Sequence, residues 1–259
     1  MEDRQRHFVL VHGACHGAWS WYKVATLLKS ANHKVTALDL AASGVHPKQL
    51  TDLHSFSDYY EPLMEFMKSL PPEERVILVG HSMGGLSISA AMERFPEKIS
   101  AAVFATAFMP GPDFSYNSIR EEVDRQLDSF MDTQFTFANG QNNPPTSMLF
   151  GPDILSTRLY QLSPSEQDLI LATLTMRPFP LHDDGSQNLM LTKDKYGSVT
   201  RIYVVCGQDK IINEDVQRWM IQNNPTDEVK IIADSDHMVM FSKSQELCSC
   251  LLEIARKYL

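Results

Sequence analysis

Val76-Ile77-Leu78-Val79 is a short apolar run that ends in Gly80-His81-Ser82-Met83-Gly84 and passes directly into Gly85-Leu86-Ser87-Ile88-Ser89-Ala90-Ala91. A run of this length bounded by glycine reads as a buried strand, and the residues from Met83 to Phe95, stopped by Pro96, read as a helix. Glycines on both sides of Ser82 let the two backbones approach without a Cβ clash, so the serine falls on a sharp strand-to-helix turn. A chain built around that turn has few options. The strand must lie in a sheet covered on both faces, with the serine at its C-terminal edge.

The surrounding sequence agrees. Phe8-Val9-Leu10-Val11-His12, Lys34–Leu40, Ala101–Thr106, Arg201–Cys206 and Val229–Ile232 read as further strands. Trp19–Ser30, Ser57–Leu70, Glu214–Asn223 and Lys243–Tyr258 read as helices. Alternating strands and helices predict an α/β fold with a mostly parallel sheet flanked by helices. Between Ala107 and Ser198 the alternation stops, and Met109-Pro110-Gly111-Pro112, Asn139-Gly140, Pro144-Pro145 and Gly151-Pro152 interrupt irregular apolar clusters. About 90 residues without structure inside a compact domain are implausible, so this segment is expected to be an inserted cap. The expected organisation is one domain, with residues 1–106 and 199–259 as the core and 107–198 as the lid over the sheet's C-terminal edge.

A serine hydroxyl needs a base to act as a nucleophile. Gly-x-Ser-x-Gly in this strand–turn–helix context is the nucleophile-elbow pattern of α/β-hydrolases, whose partners follow in the order Ser, acid, His. Of nine histidines, His237 lies in the polar loop Asp234-Ser235-Asp236-His237-Met238 just after a strand. His182 is its rival, but it lies in the inserted segment. Asp209, in Gly207-Gln208-Asp209-Lys210 after another strand, is the expected acid. It would hold the imidazole in one tautomer and stabilise its charged form. Asp236 adjoins His237, and adjacent side chains rarely face each other, so it is expected to shape the loop. The two oxyanion-hole amides would come from Met83, after the serine, and from Ala14 in His12-Gly13-Ala14-Cys15.

Composition narrows the partners. A net charge of −9 argues against nucleic acid. No run approaches the roughly 18 uninterrupted apolar residues of a membrane helix. No apolar leader with a cleavage site precedes the first strand, so a cytoplasmic location is expected. Four scattered cysteines do not form a disulfide framework, and Cys248-Ser249-Cys250 on a helix points its thiols apart. Neither a metal nor an organic cofactor is required by this chemistry.

Phe8–Tyr22, His33–Gly44, Tyr196-Gly197-Ser198-Val199 and Asp236-His237-Met238 resemble the plant methylesterase and hydroxynitrile lyase family, and the likeness runs from about His7 to Tyr258. Branches of that family include methyl salicylate esterases, alkaloid esterases of the polyneuridine aldehyde type and methylketone synthases. Hydroxynitrile lyases carry threonine or asparagine where Gly13 stands. The rubber-tree type has glutamate in place of His81 and a cyanide-stabilising lysine in place of Met238. Methylketone synthase resembles the chain at Asn143-Pro144-Pro145-Thr146 but lacks the serine and the acid, both of which are kept here as Ser82 and Asp209.

The resemblance therefore implies a cofactor-free methyl-ester hydrolase acting on a small apolar plant metabolite of the salicylate, jasmonate, auxin or indole-alkaloid class. Decarboxylation would follow where the released acid is β-keto or β-formyl. A hydroxynitrile lyase and a non-catalytic small-molecule receptor are the alternatives. A homodimer is common among such relatives. Pocket walls are expected from Phe108, Phe135, Met148, Phe150, Leu159, Leu181 and Met238, with Gly13 and His81 close to the reacting carbonyl. The stretch Phe179–Gln187 departs from the family's helical, apolar pattern, and the cap is where the substrate is expected to be chosen.

Overall fold

The computed structural model describes residues 5–163, 166–181 and 189–258. Six strands form one sheet in the order β2-β1-β3-β4-β8-β9, and every neighbouring pair is parallel. They are β1 (His7–Val11), β2 (Lys34–Leu38), β3 (Val76–His81), β4 (Ile99–Ala105), β8 (Arg201–Cys206) and β9 (Glu228–Ile232). The helices between them are α1 (Tyr22–Ser30), α2 (Phe56–Ser69), α3 (Gly84–Arg94) and α7 (Glu214–Asn223). A short α8 (Val239–Ser242) and a longer α9 (Ser244–Lys257) close the chain.

Strand alternation builds two cores. Phe8 and Leu10 of β1, with Ile77 and Val79 of β3, pack with Val24 and Leu28 of α1 and with Leu247, Leu251 and Ile254 of α9. Their neighbours Val9, Val11, Val76 and Leu78 point the other way, to Leu63 and Met67 of α2, Leu86 and Ile88 of α3, and Val216 and Met220 of α7. Central strands buried on both faces explain the unbroken apolar runs in the sequence. Each fully buried Leu, Ile or Phe contributes about 1.5–3 kcal/mol.

One predicted strand ends early. β2 stops at Leu38, not Leu40, because the next residues leave the ladder for other partners. The Asp39 carboxylate accepts the N–H groups of Ala18 (2.6 Å) and Val45 (3.1 Å), and the Leu40 N–H donates to His12 Nε2 (3.1 Å).

Between β4 and β8 the chain leaves the main sheet. It forms α4 (Tyr116–Gln126), then a small antiparallel sheet of β5 (Gln134–Thr136), β6 (Ser147–Leu149) and β7 (Phe179–Pro180). Between β6 and β7 come α5 (Pro152–Ile154), a wide π-type turn at Leu155–Leu159, and α6 (Glu166–Thr175). α6 is tied to α1 through Asp168, a buried carboxylate that accepts from Tyr22 Oη (2.8 Å) and Lys23 Nζ (2.5 Å). Among the described residues no helix is long and apolar enough to cross a membrane.

Candidate active site

Four loops leave the C-terminal ends of β1, β3, β8 and β9 and meet over the edge of the sheet. Ser82 follows β3 with φ +52°, the left-handed region that side-chain-bearing residues seldom occupy. Its carbonyl accepts from the N–H groups of Gly85 (3.0 Å) and Phe108 (3.1 Å), which lock the turn. The hydroxyl lies 3.0 Å from His237 Nε2, and His237 Nδ1 lies 2.7 Å from Asp209 Oδ2. A proton on Nδ1 facing the carboxylate leaves Nε2 with a lone pair directed at the serine hydroxyl.

Asp209 is held by three further donors. Thr106 Oγ1 donates to Oδ2 (2.5 Å), and the N–H groups of Ile211 (2.7 Å) and Ile212 (2.9 Å) donate to Oδ1. Counting the imidazole, each oxygen takes two bonds, which is about the full capacity of a carboxylate. Asp236 does not compete for the imidazole. It accepts from the N–H groups of Met238 (3.0 Å) and Leu162 (2.9 Å) and from Ser163 Oγ (3.3 Å), while burial raises its pKa.

Ala14 and Met83 border the same cavity as Ser82. No backbone carbonyl among the described residues accepts from either N–H, which leaves both free of main-chain bonds. Gly13 lies against the serine. A Cβ there would come within 2.8 Å of Ser82 Cβ and 3.0 Å of His81 Nδ1. Cys15 is close by, but burial pushes its thiol up to about 12, which leaves no thiolate to rival the serine. Among the described residues no cluster of three or more His, Cys, Asp or Glu is placed to hold a metal.

Above Ser82 is an apolar cavity of about 350 Å³, near the small end of the roughly 300–1,000 Å³ typical of ligand sites. Phe108, Phe135, Met148, Phe150 and Leu181 line it. Leu159 and Met238 do not. Both are buried in the core between the sheet and α1, α8 and α9. The Met238 N–H is held by Asp236, Leu159 ends the wide turn at Leu155–Leu159, and both side chains pack with the apolar core residues and not with the cavity. Gly13 and His81 are also absent from the cavity wall, and they pack against Ser82 and His237 from below. His182 lies outside the described residues.

Sequence reasoning missed Phe130, Phe137 and Phe179, and one face of α4 carrying Tyr116, Arg120, Val123 and Asp124, with Leu127 just past its end. The spacing of that face is helical, which was the available signal. Arg120 and Asp124 interrupt its apolar character and hide it.

Residues 8–249 match the model of the alpha/beta hydrolase family. The chain is 59% identical to methyl jasmonate esterase 1 of Vitis vinifera over 100% of both chains. It is 49% identical to salicylic acid-binding protein 2 of Nicotiana tabacum over 98% of both. Tomato methylketone synthase I, solved in complex with 2-tridecanone, superposes with a TM-score of 0.94 at 48% identity, covering 98% of this chain and 99% of that one. On this sequence and fold, the chain belongs to the alpha/beta hydrolase family and, within it, to the plant methylesterase group that these relatives represent.

Proposed function

We propose that this protein is a serine-dependent carboxylic ester hydrolase that cleaves the methyl ester of a small apolar metabolite. The observation that carries this reading is the strained Ser82, 3.0 Å from His237 Nε2, at the floor of an apolar cavity. The relative named as a methyl jasmonate esterase supports the ester class.

In the proposed reaction the Ser82 hydroxyl attacks the ester carbonyl while its proton moves to His237 Nε2. Asp209 stabilises the imidazolium and keeps it oriented. The N–H groups of Ala14 and Met83 take the negative charge on the tetrahedral oxygen. His237 then gives its proton to departing methanol, and a water activated by the same ring hydrolyses the acyl-serine to acid and free enzyme. Residues 107–198 act as the cap that supplies most of the cavity wall and keeps bulk water from the acyl group.

The test is turnover of methyl salicylate, methyl jasmonate, methyl indole-acetate and an alkaloid β-aldehyde ester by wild type and Ser82→Ala. Wild type is expected to release methanol from at least one ester. Ser82→Ala should lose roughly 10⁴–10⁶-fold in kcat, since the nucleophile and its base act as a unit. Undiminished turnover by Ser82→Ala would sink the mechanism. Tight binding of a free acid with no turnover of any ester would favour a receptor.

A further inference from the structure

The cap grips the loop after β1 at two consecutive residues. The Cys15 carbonyl accepts from the Arg177 N–H (3.1 Å), and its thiol donates to the Met148 carbonyl (3.4 Å). Cys15 itself sits at φ +63°, a conformation kept only when the surroundings impose it. At the next residue, His16 Nε2 is 2.7 Å from Tyr160 Oη and its Nδ1 is 2.8 Å from the Ala14 carbonyl.

The direction of these bonds follows from elementary chemistry. A carbonyl only accepts, so His16 Nδ1 carries a proton. The ring is buried among Trp19 and Tyr160, and burial lowers its pKa to about 3, so it is neutral and has only that one N–H. Nε2 is then an acceptor, and the Tyr160 hydroxyl donates to it. The same logic applies at the preceding carbonyl, where His12 Nδ1 donates to the Gly13 carbonyl (2.8 Å) and His12 Nε2 accepts from Leu40. The peptide plane on each side of Ala14 is therefore pinned at its carbonyl. The Ala14 N–H shares its plane with the Gly13 carbonyl that His12 holds, and the bond from His16 to the Ala14 carbonyl anchors the plane on the other side of the Ala14 Cα, so the backbone is held on both sides of that residue.

We propose that Tyr160 and His16 are positioning residues: the cap hydroxyl orients the imidazole that anchors the Ala14 carbonyl, which keeps the Ala14 backbone, and with it the N–H facing the oxyanion, in place. This rests on the hydrolase reading above. It gives the cap a part in the chemical step beyond covering the substrate, because a phenolic oxygen from the cap completes the support of the oxyanion loop.

The variants that test it are Tyr160→Phe, His16→Leu and His16→Asn, read beside Ser82→Ala on a methyl ester that the wild type hydrolyses. Asn places an amide N–H where His16 Nδ1–H stands, whereas Leu fills the space without a donor. Losing an oxyanion donor costs about 10²–10³ in kcat, so misaiming one should cost His16→Leu about 10–100-fold and Tyr160→Phe about 3–10-fold. KM should stay within about twofold, and His16→Asn, which keeps the donor but loses the Tyr160 partner, should recover to about the 3–10-fold loss of Tyr160→Phe. Phenylboronic acid, whose tetrahedral adduct on Ser82 puts an oxygen at the same place, should bind more weakly to His16→Leu and Tyr160→Phe by a similar factor.

Tyr160→Phe with wild-type kcat and boronate affinity overturns the proposal, and it decides alone if His16→Leu does not fold. Equal losses in His16→Leu and His16→Asn also overturn it, since they would show that only ring packing matters. A rise in KM at constant kcat does the same. Activity that survives Ser82→Ala sinks the hydrolase reading itself. An inactive Ser82→Ala beside an unaffected Tyr160→Phe sinks only this inference.

Discussion

His81 Nε2 donates to the carbonyl of His237 at 2.8 Å, so the residue before the serine holds the main chain of the residue expected to be its base. The rings are 4.8 Å apart, and burial, reinforced by the neighbouring His237, keeps the pKa of His81 well below normal. A neutral His81 adds no second positive charge when His237 takes up the serine proton. His81→Gln, which can still present an N–H near that position, is expected to keep kcat within about threefold. His81→Leu should lose about tenfold or more, because small displacements of a catalytic group are expensive. Equal activity of the Leu and Gln variants would remove the hydrogen bond from the account.

Gly85 tests how closely α3 must approach the chain after β4. A Cβ on Gly85 would come 2.0 Å from the Phe108 carbonyl oxygen, a backbone atom with no room to move, whereas one on Gly197 meets nothing nearer than 3.7 Å. Gly85→Ala is expected to lose about 2–3 kcal/mol of stability, the cost of overpacking a tight core. Gly197→Ala should stay within about 1 kcal/mol of wild type, on the stabilising side, since it only restricts the unfolded chain. Urea unfolding of the two variants separates these outcomes, and comparable losses would contradict the packing argument.

The parallel core was legible because its signals are local and redundant. Val76–Val79 and Arg201–Cys206 are apolar runs too short for helices, and the elbow glycines mark where one strand turns. Ser82, Asp209 and His237 could be singled out because chain order and strand ends restrict such groups, and the fold brings the three within hydrogen-bonding distance. The segment between β4 and β8 was not legible in detail. β5, β6 and β7 span three, three and two residues, too few to show alternation. Met238 shows a second limit. Its correspondence to the cyanide-stabilising lysine of the rubber-tree lyases suggested the cavity, but its side chain went to the core. Arg177, whose guanidinium binds the carbonyls of His46 (2.7 Å) and Lys48 (2.9 Å), carries no sequence signal because its partners lie far away in the chain.

The cavity wall and the core beneath it should respond differently to truncation. Phe135 is half-buried and borders the cavity. Phe135→Ala should therefore raise KM about five- to tenfold with little change in thermal stability, since a partly buried phenyl is worth about 1–2 kcal/mol. Leu159 is 1% exposed and faces the core. Leu159→Ala should cost about 2–5 kcal/mol of stability while KM, measured well below the unfolding temperature, stays unchanged. Steady-state kinetics paired with thermal melts on both variants check this. A raised KM in Leu159→Ala with unaltered melting would mean that residue 159 does reach the substrate.

Buried neutral histidines should make the fold sensitive to acid. Burial lowers the pKa of His12, His16 and His81, that of His16 to about 3, against 6.5 for an unburied imidazole. Below about pH 6.5 the unfolded chain binds protons that the folded chain refuses, so the unfolded state gains stability as pH falls. The stabilising contribution is thus complete above about pH 6.5 and declines towards pH 3, by about 1 kcal/mol per pH unit for each such proton. Melting temperature should fall steadily from about pH 7.5 to about pH 4.5. His16→Asn, which has nothing to titrate there, should show a shallower slope whatever its stability at neutral pH. The slope is the quantity to compare, because the substitution also changes packing around Trp19 and Tyr160. A wild-type melting temperature that stays flat over this range, or a slope in His16→Asn as steep as in wild type, would mean that these rings accept protons without leaving the fold.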